Sequence, residues 1–540
     1  MDVMGTSTRR YTECCYNNHS PLDWIKNDLS FAKLKPADLE YGPQVGECME
    51  GTRRDILTKV EQWITDFGGP NILWLKGHPG VGKSAIATSV VERLRAVGRL
   101  GSSFFFQRQK ATSMTPNALW LTVAYNLARQ YPTIGKNIMA ALNADETIPT
   151  TVNVIKLFRQ LVQEPLMASE EIPASRSPIV VIDALDECGG LDGPGSKHRT
   201  SLVRTLESWS RLPRQFKLIV TSRGERDFEH LFSTTAHCLI EILTGQTVEA
   251  QSSQDIHAFL TYQLQQTVLR HPRSLPPDWP GTRVVSQMTL SAAGLFIWAE
   301  TIVKFINGGP PERRLRMVLE GVGTSGMGTL YGLYEQILDA SFGNQTADEI
   351  RDACTIMGTI LFAKAPLSSS AIAHLLSIPH STVENMCNGL RSVLDSGSIL
   401  QFHHQSFVDF LLDPGRRTSK FIIKYEEATR NLTLVCLRVM RDDLKFNICD
   451  LKSSYVRNID VPNIASRVER CIPPHLSYSC QFWASHLAET TFDVEVLEGL
   501  QYFMNHQFLF WLEVLSLTNK VNHASGMLLL MVDWIPVSIQ

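Results

Sequence analysis

Ile72-Leu-Trp-Leu-Lys-Gly77-His-Pro-Gly80-Val-Gly82-Lys83-Ser84 is the stretch that decides the fold. An apolar run, Ile72 to Leu75, leads into Gly77 to Ser84, which fits the pattern G-x-x-x-x-G-K-[ST]. Beyond it Ile86, Val90, Leu94 and Val97 recur at helical spacing. Strand, loop and helix therefore follow one another in the order a phosphate-binding loop requires. Glycines leave backbone N–H groups free to approach phosphate oxygens, and the helix N-terminus adds partial positive charge. Gly77, Gly80 and Gly82 shape such a cradle, Lys83 bridges β- and γ-phosphates, and Ser84 offers its hydroxyl to Mg²⁺. In a chain of this length the string arises by chance only about 0.01 to 0.02 times, before the flanking elements are demanded.

Downstream, Ile179-Val-Val-Ile-Asp183-Ala-Leu-Asp186-Glu187 reads as a buried strand ending in acids. Asp183 is the expected Mg²⁺-shell carboxylate beside Ser84, and Glu187 or Asp186 polarises the attacking water. Leu218-Ile-Val-Thr-Ser-Arg223 ends another strand in a cation whose fork suits phosphate oxygens, so Arg223 is the expected γ-phosphate sensor. The apolar runs Ile72 to Leu75, Phe104 to Phe106, Ile179 to Ile182, Leu218 to Thr221 and Leu239 to Leu243 alternate with helical patterns. That alternation predicts an α/β P-loop NTPase core, a parallel sheet with flanking helices. Upstream, Ile56, Val60, Trp63, Ile64 and Phe67 share one face of a helix that halts at Gly68-Gly69-Pro70.

The chain has 540 residues, 51 Lys plus Arg against 54 Asp plus Glu, and a net charge of -3, so the basic footprint of a duplex-DNA or polybasic membrane binder is absent. A hydrophobic fraction of 44% excludes wholesale disorder. The 11 cysteines show no C-x-x-C spacing, which argues against a zinc ribbon and a disulfide framework and for a reducing, cytoplasmic setting. Neither a secretory h-region nor an apolar run of about 18 residues occurs; Met527 to Val532 reads as buried helix or strand. After Gly245 helical periodicity dominates. The expected division is a weakly ordered leader (1–44), the P-loop core (45–245), a helical lid (246–344), a winged-helix unit (345–415) read as helix, helix, strand, helix, and an all-α C-terminal region (416–540).

Together GHPGVGKS, VVIDALDEC and KLIVTSR, preceded by Gly51-Thr52-Arg53 and the Trp63 helix, resemble the NACHT NTPases of the STAND class. The fungal group related to heterokaryon-incompatibility and NOD-like receptor proteins is the most similar, over roughly residues 45 to 490. The resemblance implies a switch that binds ATP or GTP with Mg²⁺, hydrolyses it slowly as a timer, and couples nucleotide state to opening, self-association and signalling partners. It also implies that Phe402-His403-His404-Gln-Ser-Phe-Val-Asp409 carries the histidine that meets the β-phosphate of a diphosphate, with His404 in that slot and His403 as the alternative. Ala293-Gly-Leu-Phe296 resembles the Gly-Leu-Pro motif beside the adenine, with Phe296 in place of the proline. Members often continue into repeats that act as the sensor, which this sequence reads as lacking.

Two rival readings remain. A P-loop ATPase or kinase would use the same loop for steady phosphoryl transfer, but no acceptor motif accompanies it. Ala371–Ser377, the turn at Pro379 and Ser381–Leu394 have helix-turn-helix proportions, yet Arg391 is the only cation from Ser368 to Leu400, too few for phosphate contacts along DNA.

Overall fold

The computed structural model describes residues 34, 42, 45–111, 113–321, 327–343, 345–416, 419–453 and 455–536. Nearly all of the leader expected over 1–44 lies outside the described residues.

Five strands form one parallel sheet: β1 (Ile72–Gly77), β2 (Leu100–Phe105), β3 (Ile179–Asp183), β4 (Lys217–Ser222) and β5 (Cys238–Ile242), in the order β2-β3-β4-β1-β5. The order places β4 between the strand that feeds the glycine loop and the strand that ends in Asp183. Loop, acid and Arg223 therefore emerge at the same carboxyl edge, where open α/β sheets gather ligands. Successive side chains take opposite faces. Leu73, Leu75, Val181 and Ile219 join one apolar core that runs on into the helices after residue 250. Ile72, Trp74, Val180, Ile182, Leu218 and Val220 join the other, against helices such as Pro116–Gln130 and Lys197–Trp209. β1, β3 and β4, buried on both faces, read as short continuous apolar runs, whereas the edge strand β5 alternates, with Ile240 and Ile242 buried and Leu239 and Glu241 exposed.

β2 differs from the expected Phe104 to Phe106 by starting at Leu100. Gly101-Ser102-Ser103 carries no apolar signal; Ser102 is buried because Asn126 Nδ2 donates to its hydroxyl at 2.9 Å. A Cβ on Gly101 would stand 2.6 Å from Pro178 Cβ, so only glycine allows this approach. The Trp63 helix spans Arg54–Thr65, and Phe67, expected on its buried face, lies past its end and is exposed.

Helices Ala250–Arg270, Thr282–Ala292 and Phe296–Asn307 follow the sheet, and the last reaches back over the glycine loop. Residues 345–415 contain one helix and one strand more than expected: helices Ala347–Phe362, Ser369–Leu376 and His380–Gly389, the antiparallel hairpin β6 (Leu394–Ser396) and β7 (Leu400–Phe402), then helix Gln405–Leu412. The helix expected over Ser381–Leu394 stops at Gly389, and strands of three residues are too short to show period two.

Farther on, Tyr425–Asp443 packs against Pro474–Ala488, with Trp483 and Trp511 fully buried. Met527 to Val532 corrects the expectation of a buried segment. It is part of helix Ala524–Trp534, in which Met527 is buried while Leu529, Leu530 and Val532 are exposed. No helix among the described residues is long and apolar enough to cross a membrane.

Candidate functional site

Gly77 closes β1, and the loop turns into helix Lys83–Ala96 through Gly80 (φ 80°) and Gly82 (φ 92°). Both angles lie in the left-handed region that glycine adopts without steric cost. Among the described residues no acceptor is bonded to the amides of Gly80, Val81 or Gly82. Unpaired amides at the head of a helix are what a polyphosphate satisfies, so the loop fits that group. Lys83 Nζ lies over the loop, donating to the carbonyls of Gly77 at 2.9 Å and His78 at 3.0 Å. Burial lowers its pKa, and Asp186 is the largest opposing charge.

Asp183 ends β3 and is bonded to the hydroxyls of Thr221, at 2.5 Å, and Ser84. Burial raises its pKa against both hydrogen bonds. A carboxylate whose charged form burial disfavours, touching the loop serine, fits a divalent cation, which would favour that charged form. Ala184 follows at φ 57°, its N–H donating 3.0 Å to Thr221 Oγ1, and this turn separates the next two acids. Asp186 faces Arg223, accepting from its backbone N–H at 3.1 Å and its Nε at 3.0 Å. Glu187 instead accepts from Arg108 N–H at 2.9 Å, and burial, with Asp186 adding to it, pushes its carboxyl up to about 7. The two candidates thus have different environments, one ion-paired and one held near its midpoint at neutral pH.

His404 caps helix Gln405–Leu412 through Nδ1, which accepts from Ser406 N–H at 3.0 Å. Ser406 Oγ lies 2.7 Å from the same nitrogen and 2.7 Å from the Tyr334 hydroxyl, a chain that leaves the ring proton on Nε2. Burial, then the Arg223 and Lys83 cations, hold the ring pKa down at about 4, so it is a neutral donor. The ring edges the loop: a Cβ on Gly80 would be 3.7 Å from its Cε1. His403 lies beside it, its Nε2 3.3 Å from the Arg391 carbonyl.

Gly80, Gly82, Lys83, Ser84, Asp186, Glu187, Arg223, His403 and His404 line one cavity of about 540 Å³, within the usual range of small-molecule sites, together with Cys48, Arg53, Phe259 and Phe296, whereas Gly77 and Asp183 are not part of its lining. Helix Phe296–Asn307 closes on it where Ile297 N–H donates 3.0 Å to the Gly80 carbonyl. Arg53, 2% exposed and at φ 55°, ties the far end. Its N–H reaches Asp255 at 2.9 Å, its guanidinium reaches Ser252 at 2.7 Å and the Val81 carbonyl at 2.6 Å, and it lies 4.8 Å from the Phe296 ring. Sequence reasoning assigned no role to Arg53, Arg108, Tyr334, Ser406 or Asp409. For Arg53 the Gly51-Thr52-Arg53 triplet ahead of a helix was a visible signal; for the others the contacts are made only by folding.

Residues 51–223 match the family model described as Nephrocystin 3, N-terminal (NPHP3_N). The vegetative incompatibility protein HET-E-1 of Podospora anserina is 23% identical over 547 residues, covering 91% of this chain. The chain spans 37% of that relative's length. Among solved structures, a signal transduction ATPase with numerous domains and a tetratricopeptide-repeat sensor from Pyrococcus horikoshii aligns at 13% identity, over 93% of this chain and 65% of its own, with a TM-score of 0.38. A Walker-type ATPase from Pyrococcus abyssi aligns at 13% identity over 68% of this chain and 98% of its own, with a TM-score of 0.34.

Proposed function

We propose, from the premise that the chain is a NACHT-type NTPase of the STAND class, that it is a nucleotide-dependent switch which binds ATP or GTP with Mg²⁺ and couples the bound state to opening and self-association. One observation carries the reading: His404, from residues 345–415, lines the same cavity as Lys83, Ser84, Asp186 and Arg223 of the core. A group placed there senses what the loop holds. In this reading residues 45–245 are the core, 246–344 the lid and 345–415 the winged helix. Lys83 and the loop amides bind the phosphates, Ser84 and Asp183 hold Mg²⁺, and Glu187 orients water in preference to the ion-paired Asp186. The bound cation would neutralise charge developing on the phosphoryl oxygens. Nε2–H of His404 donates to a diphosphate and keeps the lid and winged helix closed, and a triphosphate shifts the equilibrium toward the open form.

The test is to strip the purified chain of nucleotide and then measure binding of Mg-ADP, Mg-ATP and their guanosine counterparts, turnover, and particle size in each state. A switch predicts tight binding, turnover well below about 1 s⁻¹ without a partner, and a larger particle with triphosphate. Steady turnover above that rate would favour the ATPase or kinase reading, and no binding would overturn both.

His404→Ala is expected to weaken diphosphate retention by about tenfold, the value of one hydrogen bond to a charged group, and to raise the self-associated fraction. Dissociation of a fluorescent diphosphate and light scattering check it; an unchanged off-rate would remove the latch role.

A further inference from the structure

Asp409 belongs to helix Gln405–Leu412, yet two arginines from the other end of the sequence hold its carboxylate. Oδ2 is 2.7 Å from Nη1 of Arg223, and Oδ1 is 3.8 Å from Nη1 of Arg108. Gln405 Nε2 donates to Oδ1 at 3.1 Å and fixes the side chain toward the core. Two guanidinium groups converging on one anion is the arrangement by which arginine takes up phosphate oxygens. Arg223 already meets a second carboxylate, Asp186, through its Nε at 3.0 Å. Asp186 is carried on the core itself, whereas Asp409 leaves whenever the winged helix moves. Arg223 lines the cavity beside Lys83 and His404, and Glu187, which accepts from Arg108 N–H, lines it too.

We infer that Asp409 sets the selectivity of the site between nucleoside diphosphates and triphosphates, its carboxylate occupying the arginine that would otherwise turn to a γ-phosphate. The inference rests on the nucleotide-binding reading above. A third phosphoryl group brings negative charge toward Asp186 and Glu187, which line the cavity, and toward Asp409, which lies behind that lining on Arg223, so it must displace the movable acid or be repelled by it. A diphosphate ends before that point and coexists with the Asp409 contact. Linkage makes the effect reciprocal: triphosphate loosens the winged helix by the same factor by which Asp409 weakens triphosphate binding.

The experiment uses the full chain with Asp409→Asn, which keeps the shape and removes the charge, and Asp409→Glu, which keeps the charge. Affinities are measured for Mg-ADP, Mg-GDP and the β,γ-imido triphosphates of adenosine and guanosine, with melting temperature as a check on folding. Asp409→Asn is expected to raise the triphosphate-to-diphosphate affinity ratio about tenfold, and Asp409→Glu to restore most of the parent ratio. An unchanged ratio in Asp409→Asn overturns the inference, as does an equal loss of both affinities, which marks a merely structural contact. Lys83→Ala is run alongside: if it binds nucleotide like the parent, the nucleotide reading itself fails, whatever Asp409 does.

Discussion

Lys83→Ala is expected to lower affinity for both nucleoside diphosphates and triphosphates by about 100-fold, the scale set by deleting one partner of a close charge pair. The ammonium is held above the loop by the Gly77 and His78 carbonyls at 2.9 and 3.0 Å, which aims it before any ligand arrives. Its pKa is lowered by burial first of all, so an incoming anion regains what desolvation costs the cation. Stability has little stake in the change. Of the two carbonyls it leaves, that of His78 belongs to an exposed residue and that of Gly77 to a buried one, and the change also removes a cation that burial disfavours, so the melting temperature should stay within about 2 °C of the parent. The loss is therefore in binding alone, which titration with a fluorescent nucleotide reads directly. A variant that binds like the parent would defeat the proposed function. One that also melts far lower would show that Lys83 serves the fold.

Much of this site was legible before folding, for reasons that differ from residue to residue. Gly80 and Gly82 declare themselves because their φ of 80° and 92° suit glycine, and Lys83 and Ser84 follow them at fixed spacing. Asp183 stands out as a charge ending a strand otherwise apolar and wholly buried. The parallel sheet was legible too, since β1, β3 and β4 are covered on both faces and read as unbroken apolar runs. β2 was not legible in full, because Ser102 is buried by a hydrogen bond to Asn126 and not by apolar character. β6 and β7 escaped because three residues show no period. The partners of Arg223 were beyond reach altogether: Asp409 lies 186 positions away, and no local pattern records a contact of that span. A motif names the groups that touch phosphate, while the charges that compete with phosphate come from elsewhere in the chain.

Arg199 carries the largest expected effect on stability. It lies on helix Lys197–Trp209 with its side chain 1% exposed. Nε and Nη2 reach Asp227 at 2.7 and 3.2 Å, Nη2 also reaches Glu225 at 2.6 Å, and Nη1 donates to the Asp186 carbonyl at 2.9 Å. The guanidinium carbon is 4.3 Å from the Phe228 ring centre. One buried cation thus joins the segment after β3, where Asp186 and Glu187 lie, to the segment after β4 that begins with Arg223. Arg199→Ala removes the cation and leaves two carboxylates facing a cavity, a change that typically costs about 3–5 kcal/mol when one partner of a buried pair is deleted. Asp227 and Glu225 are 22% and 26% exposed, so water recovers part of that, and the lower end of the range is expected. Arg199→Met keeps the stem against Phe228 and should lose less, and adding Asp227→Asn to it should recover part of the deficit, because the second change neutralises one of the stranded acids. Chemical denaturation followed by tryptophan fluorescence, to which the buried Trp74, Trp120 and Trp209 of this half of the molecule contribute, measures all three. A loss below about 1 kcal/mol in Arg199→Ala would mean that the network is idle in the fold. A loss of the expected size with unaltered nucleotide selectivity would mean that the acids and Arg223 keep their relation without Arg199, leaving the ion pairs between Arg223, Asp186 and Asp409 as the link between the sheet and helix Gln405–Leu412.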